Sequence, residues 1–311
     1  MAAVAEAFFV KTISLYLDEL RQRGGCTVAG QPAMRQLCTF RLGGTVAAAV
    51  FPDDAETLTF AVRRASSAGI PFRIIGAGSN ILPRDEAWEG VVLVTTKLNK
   101  IEKFEEYVAA DCGISLNTLV LFCAKRGMAG TECLYGIPGT VGGAVYMNAG
   151  AHGTTMADIV TVADLLDIRN GRTYRLPCKD LSFSYRHSLL QETRHLLLLR
   201  AAFQLPAGDA RVLTDTVRRV TRRRIDTQPI GYPSAGSVFR RPPEGEVWRM
   251  VDRCGLRGFS VGGAQVSEKH AGFIINRGGA TAQDVRTVAE TVRARVHTVL
   301  GVSLSYEIEI W

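Results

Sequence analysis

IIGAGSNIL at positions 74–82 and GIPGTVGGAVYMNAG at positions 136–150 decide how this chain is read. In the first, an apolar strand runs into Gly76, Ala77 and Gly78, whose small side chains let backbone N–H groups approach an anion closely. Ser79 and Asn80 add side-chain donors before Ile81 and Leu82 resume the apolar run. The third glycine of the dinucleotide fingerprint is missing and no βαβ signature follows. No lysine with an adjacent serine or threonine ends the turn, which excludes a P-loop. Taken alone, the segment fits a phosphate cradle or an ordinary tight turn. The second stretch holds five glycines in fifteen residues, an expensive choice in chain entropy. The loss is recovered if a planar cofactor or its diphosphate occupies the room that missing side chains leave. Two such loops in adjacent α/β segments point to one extended ligand.

Outward from these loops the pattern alternates. ISLYLDELRQRG predicts a helix followed by a loop, packed as an outer adornment within a helical extension over residues 1–35. AAAVFPDD is a strand and turn, AETLTFAVRRASSAG an amphipathic helix ending at Gly69, and VVLVTT a further strand, giving a unit over 36–97. Over 98–205, EEYVAADCG reads as strand and turn and SLNTLVLFCAKRG as a helix stopped by Gly127. IVTVADLLDI and GRTYRLP form a hairpin turning at Asn170-Gly171, and HLLLLRAAFQL closes the unit as a strand. The third unit, 206–311, opens with an arginine-rich helix. It ends with a helix started by a Thr281/Asp284 capping box, whose apolar face is Val285, Val288, Val292, Val296 and Val299. VSLSYEIEIW at 302–311 alternates strictly, which predicts a half-buried strand with Glu307 facing away from the core.

The composition is that of a soluble globular protein, with 47% apolar and 22% charged residues in 311. No apolar stretch approaches the ~20 residues that cross a bilayer. The opening twenty residues lack a basic region before their apolar patch, so a cytoplasmic location without membrane insertion is expected. The net charge of +7 is concentrated in RVLTDTVRRVTRRR, six arginines against one aspartate. A solvated helix face accounts for it better than nucleic acid, which would ask for a broader basic surface with stacking aromatics. Seven scattered cysteines without a CxxC pair read as reduced thiols, and the histidines lack metal-ligand spacing.

Two further residues carry chemistry on their own terms. Ser237 in SAGSVF places a hydroxyl on a glycine turn. Without a GxSxG elbow or a triad partner it is either a proton donor or a structural turn serine. Arg186 in FSYRHS offers a planar five-donor fork suited to a carboxylate or phosphate, or else a surface ion pair.

At these loops the sequence resembles the UDP-N-acetylenolpyruvoylglucosamine reductase (MurB) family, in its shorter, type II-like form. The motifs are TFRLGG (39–44), IIGAGSNIL (74–82), GIPGTVGGAVYMNAGAHG (136–153), FSYRHS (183–188), QPIGYPSAGSVFRRP (228–242), GLRGFSVGGAQVSEKHAGFIIN (255–276) and LSYE (304–307). The resemblance implies an α+β fold. It has a two-part FAD-binding module of the vanillyl-alcohol-oxidase/PCMH type and a C-terminal α+β substrate-binding domain. It implies non-covalent FAD, with Gly76, Ala77, Gly78, Ser79, Asn80, Ile81 and Leu82 around the diphosphate. Gly136, Pro138, Gly139, Thr140, Gly142 and Gly143, with Asn148, Gly150 and Arg41, would line the cofactor. The catalytic trio falls on Arg186, Ser237 and Glu307, with Tyr185, Arg224 and Gln228 joining them on the substrate. NADPH is the implied co-substrate and UDP-N-acetylglucosamine enolpyruvate the acceptor. Hydride would enter at C3 and Ser237 would protonate C2, while Arg186 and Glu307 hold the charge on the carboxylate. An oxidase acting on a small alcohol through the same flavin fold would not need that trio. Departures from the family's pattern fall at His152, Arg241, Ser305 and Glu309.

Overall fold

The computed structural model describes residues 2–311, with side chains of the first helix described from Val10 onward. The chain divides into two units. The first comprises the residues up to Pro32, Val46–Ala77 and Glu89–Val220; the second comprises Ala33–Thr45, Gly78–Trp88 and Thr221–Trp311. The stretch 36–97 is therefore shared between them.

The first unit carries two sheets over one apolar core. One sheet orders the strands Cys26–Gly30, Val46–Pro52, Trp88–Val94 and Phe72–Ile75. The other is an antiparallel sheet ordered Arg172–Pro177, Val160–Asp167, Leu196–Phe203, Val108–Asp111 and Ile101–Lys103. The helix Ala55–Ser67 starts where the Asp54 carboxylate accepts the Thr57 N–H at 2.7 Å, and it buries Leu58, Ala61, Val62 and Ala65. Ser115 caps Leu116–Ala124 in the same way.

Three readings need correction. The first helix, Ala2–Arg23, is no adornment: Ile13, Tyr16, Leu17 and Leu20, spaced on one helical face, lie in the unit's main core. The residues after it form a strand rather than a loop, because Cys26–Gly30 pairs antiparallel with Val46–Pro52. The 160–177 hairpin exists, but its strands part at Asp167 and Arg172, leaving a four-residue loop. Gly171 takes the left-handed conformation there, at φ +71°. The Asp167 carboxylate widens the turn by accepting the Arg169 N–H at 2.9 Å and its guanidinium at 2.8 Å. That guanidinium holds the carboxyl well below its usual range, at about 2.

The second unit is built on the antiparallel sheet Ser234–Ser237, Phe273–Asn276, Ala264–Val266 and Ser260–Val261. The helix Ala282–Leu300 has the expected capping box and ends at Gly301, φ +70°. Val285, Val288, Val292 and Val296 are buried, whereas Val299 is 46% exposed and falls off the face. The early segment Ala33–Thr45 is tied in by Asn276, whose amide donates to the Phe40 carbonyl at 3.1 Å while its oxygen accepts the Gly278 N–H at 2.9 Å.

The expected ten-residue terminal strand is also corrected. Val302 and Leu304 are buried and Ser303 and Ser305 exposed, as alternation requires. Regular pairing, however, is confined to Glu309–Ile310, parallel to Ile81–Leu82. Upstream, Tyr306 bridges Phe239. The chain changes partners at 307–308, so no single ladder runs its length. Among the described residues no helix is long and apolar enough to cross a membrane.

Asp85 follows the Ile81–Leu82 strand and accepts the N–H groups of Ala282 at 2.7 Å and Gln283 at 2.9 Å. Those amides open the Ala282–Leu300 helix, where a negative charge is favoured. Asp85→Ala should therefore lower stability by about 1–2 kcal/mol. The check is the denaturant midpoint at constant m-value.

Candidate active site

In the first unit the two glycine stretches meet. A Cβ on Gly76 would lie 2.2 Å from Thr140 Oγ1, so Gly76 is the contact through which the strand end reaches the second loop. Thr140 caps the short helix Val141–Tyr146, accepting the Gly143 N–H. The other amides of that first turn are spent on the chain itself: Val141 donates to Ile114 and Gly142 to Cys112. A Cβ on Gly142 would stand 3.0 Å from that of Cys112, so this glycine serves close packing. Gly143 is exposed, and a Cβ there would find nothing nearer than Thr140 Oγ1 at 3.8 Å. Among the described residues the N–H groups of Gly139 and Thr140 donate to no protein acceptor. Exposed Pro138 and Gly143, with these amides between them, leave an open, nearly side-chain-free face. Gly136 (φ +84°) and Gly139 (φ +129°) make the turns that shape it. Gly150 lies in the short strand Gly150–Ala151, paired with Thr154–Thr155.

Arg186 sits at the tip of a two-residue turn in which Ser184 and His187 exchange N–H···O bonds of 3.2 Å. Its backbone is left-handed, φ +54°, which is uncommon for a bulky residue. The guanidinium lies 5.4 Å from the Tyr185 ring centroid and reaches toward the Gly150 carbonyl at 3.4 Å. Asn148, also left-handed, is buried. Its amide donates to the Ser184 carbonyl at 2.8 Å and its oxygen accepts the Ala157 N–H at 3.0 Å. This side chain braces the Arg186 turn.

In the second unit, Gly78 turns left-handed at φ +59°, and a Cβ there would lie 2.4 Å from the Leu37 carbonyl. Among the described residues the N–H groups of Gly78, Ser79 and Asn80 donate to no protein acceptor. Three successive unspent amides on a turn are a nest for an anionic group, and a diphosphate fits that chemistry. Ile81 and Leu82 are buried and carry the parallel pairing. Arg41 is exposed and left-handed at φ +53°.

Ser237 follows Gly236 (φ +78°) at a register shift, where Ser234 faces Ile275 and Ser237 faces Phe273. The extra residue is a β-bulge, which re-aims the side chain after it. Glu307 is placed beside this strand by its own N–H, which donates to the Val238 carbonyl at 2.9 Å. Its carbonyl accepts the Asn80 side-chain amide at 3.1 Å, and the next N–H but one, from Glu309, donates to the Asn80 carbonyl at 2.8 Å. Glu307 is therefore tied by hydrogen bonds to Val238, next to Ser237, and to Asn80. Arg224 and Gln228 meet in the last turn of the helix Ala210–Thr227, at 3.2 Å, and burial lowers the Arg224 pKa. Arg218, Arg219, Arg222 and Arg223 are exposed on the same helix, a solvated face as expected.

The positions that depart from the family's pattern each have a defined place in the structure. Arg241 pairs with Glu246 at 2.9 Å, the Ser305 carbonyl accepts the Arg240 N–H, and Glu309 enters the pairing with Ile81. His152 takes a left-handed turn at φ +52°. Missed entirely was the bracket behind Glu307. The Tyr306 hydroxyl donates to Glu290 at 2.7 Å, its ring stacks on Phe239 at 5.4 Å, and Arg293 donates to the Leu304 carbonyl at 3.0 Å. These partners are distant in sequence and ordinary in type. The i,i+3 spacing of Glu290 and Arg293 was visible, but nothing named Tyr306 as their partner.

Residues 46–177 match an FAD binding domain family, and residues 228–311 match the UDP-N-acetylenolpyruvoylglucosamine reductase C-terminal domain family. The Petrotoga mobilis UDP-N-acetylenolpyruvoylglucosamine reductase is 40% identical over 306 residues, covering 96% of this chain and 97% of the relative. The chain belongs to this reductase family. The Thermosipho melanesiensis enzyme is 39% identical over 274 residues, covering 88% of this chain and 92% of the relative. The crystal structure of the Thermus caldophilus enzyme (MurB) superposes with a TM-score of 0.78 at 30% identity, covering 92% of this chain and 99% of that one. The fold is accordingly α+β, an FAD-binding domain followed by the reductase C-terminal domain.

Burial, aided by the Glu290 carboxylate, pushes the Tyr306 phenol from about 10 up to about 12. A raised phenol pKa means that the contribution of Tyr306 to stability is intact below the unfolded value and is lost as pH rises toward the folded one. The urea midpoint should fall between pH 10 and 12, and Tyr306→Phe should flatten that fall. Parallel slopes in the two proteins would deny the bracket.

Proposed function

We propose that NADPH is the reductant of this chain, that it works in the cytoplasm, and that Arg186, Ser237 and Glu307 carry its chemistry. The chain catalyses the FAD-dependent reduction of UDP-N-acetylglucosamine enolpyruvate to UDP-N-acetylmuramate, a step of peptidoglycan precursor synthesis. Residues 36–97 and 98–205 are read as the two parts of the flavin module and 206–311 as the substrate-binding part.

The amides of residues 78–80 would hold the FAD diphosphate, and the face formed by Pro138, Gly139, Thr140 and Gly143 would take a flat part of the cofactor. FAD, when bound and once reduced by NADPH, would supply the hydride that the substrate receives at its vinyl carbon. Negative charge then grows at C2 and spreads into the attached carboxylate. The guanidinium of Arg186 meets that charge with paired N–H donors, and Glu307 orders the site by hydrogen bonding. The Ser237 hydroxyl gives its proton to C2. An alcohol is a weak acid, so the transfer proceeds as the carbon becomes basic. Tyr185, Arg224 and Gln228 bind the nucleotide-sugar portion.

The bulge that re-aims Ser237, joined to the bond from the Glu307 N–H to the Val238 carbonyl, is the observation that carries this reading. It supports the reading because Ser237 and Glu307 lie on neighbouring segments at fixed register. A small-alcohol oxidase has no use for that pairing.

The test follows the visible flavin band anaerobically, with NADPH added first and UDP-N-acetylglucosamine enolpyruvate second. The band should bleach and then recover. Ser237→Ala should keep the bleaching and slow the recovery roughly a hundredfold or more. Equal losses in both steps would remove the proton-donating role, and bleaching without recovery in the unaltered protein would remove the substrate.

A further inference from the structure

We infer that Gln191 is a positioning residue for Arg186, acting through the main chain of the turn that presents it. The inference rests on the reading that Arg186 meets the substrate carboxylate.

Arg186 occupies a left-handed conformation in a turn of minimum length. A strained backbone of this kind persists where its surroundings over-determine it. Two side-chain amides do so here. Asn148 holds the Ser184 carbonyl at the entry to the turn. Gln191, one turn further along the chain, donates from Nε2 to the Arg186 carbonyl itself at 3.0 Å. The same nitrogen donates to the Tyr146 carbonyl at 2.8 Å, so both of its hydrogens are spent.

Tyr146 ends the helix Val141–Tyr146, which begins at the open face of Thr140 and Gly143. Carbonyls in a last helical turn lack the partner that a continuing helix would supply. Gln191 and the Ser188 hydroxyl, at 2.7 Å, provide it for Tyr146. One planar amide therefore ties the far end of the flavin-lining helix to the backbone of Arg186. The arrangement needs two diverging N–H donors on a neutral group. Glutamate has the same shape and no donor when ionised, and leucine has the volume alone.

Gln191 touches neither the guanidinium nor the reacting atoms, so its loss should displace Arg186 rather than remove it. In the FAD-loaded enzyme, Gln191→Leu should slow recovery of the flavin band by substrate about tenfold to a hundredfold while leaving bleaching by NADPH near its normal rate. Gln191→Glu should lose at least as much. Gln191→Asn, which keeps both donors on a shorter arm, should lose less and serves if the leucine variant does not fold. In the FAD-free protein, trypsin should cut after Arg186 faster in Gln191→Leu than in the parent, with the site read by mass spectrometry.

The deciding comparison adds Gln191→Leu to Arg186→Gln. If Gln191 works through Arg186, the double variant is no slower than Arg186→Gln alone. Losses that multiply, or normal recovery in Gln191→Leu beside a crippled Arg186→Gln, would overturn the positioning role and leave Arg186 its part. Normal recovery in Arg186→Gln would overturn the reading of Arg186 and this inference with it.

Discussion

Glu307 is held by its main chain from two sides. Its N–H is given to Val238, next to Ser237, and its carbonyl takes the side-chain amide of Asn80, in the loop whose Gly78, Ser79 and Asn80 N–H groups donate to no protein acceptor among the described residues. Both bonds use the backbone, so the residue keeps its place through its main chain. The change of partner at 307–308 follows from this. A strand continuing along the sheet edge could not also pair with Ile81–Leu82. Regular structure is given up over two residues, and the gain is a fixed relation between the Ser237 bulge and the 78–82 loop.

The supports behind this constraint are built from ordinary side chains. Tyr306 is locked by Phe239, Glu290 and Arg293. Asp85 fastens the loop beyond Leu82 to the start of the Ala282–Leu300 helix. In the first unit Asn148 and Gln191 do comparable work for Arg186. Both units thus spend partly buried side-chain amides on main-chain carbonyls near the candidate catalytic residues. Leaving such carbonyls unmade costs about 1–3 kcal/mol each.

Much of this was legible in the sequence because local chemistry decided it. The amphipathic pattern of AETLTFAVRRASSAG and the Thr281/Asp284 box announced their helices, and the glycine loops announced turns with little side chain. What was not legible depended on distant partners. CTVAG forms a strand because VAAAVFP lies beside it. VSLSYEIEIW alternates like a strand yet divides its pairing between two segments more than sixty residues apart in sequence. The Asn170-Gly171 signal gave the hairpin but not the loop length, since the Asp167 carboxylate competes for the turn's N–H groups. Glycine density was ambiguous too: Gly143 opens a face, whereas Gly142 lets a helix approach Cys112. Asn80 and Asn148 were named for the cofactor, and their side chains brace Glu307 and the Arg186 turn.

The most direct test of the Glu307 constraint is hydrogen exchange across residues 304–311 in the FAD-loaded protein, comparing the parent with Asn80→Ala. The account predicts faster exchange in that segment, including the Glu307 amide, with the Phe273–Asn276 strand unchanged as an internal reference. Unaltered exchange at Glu307 without the Asn80 amide would contradict it, because Glu307 would then owe its position to something other than the 78–80 loop.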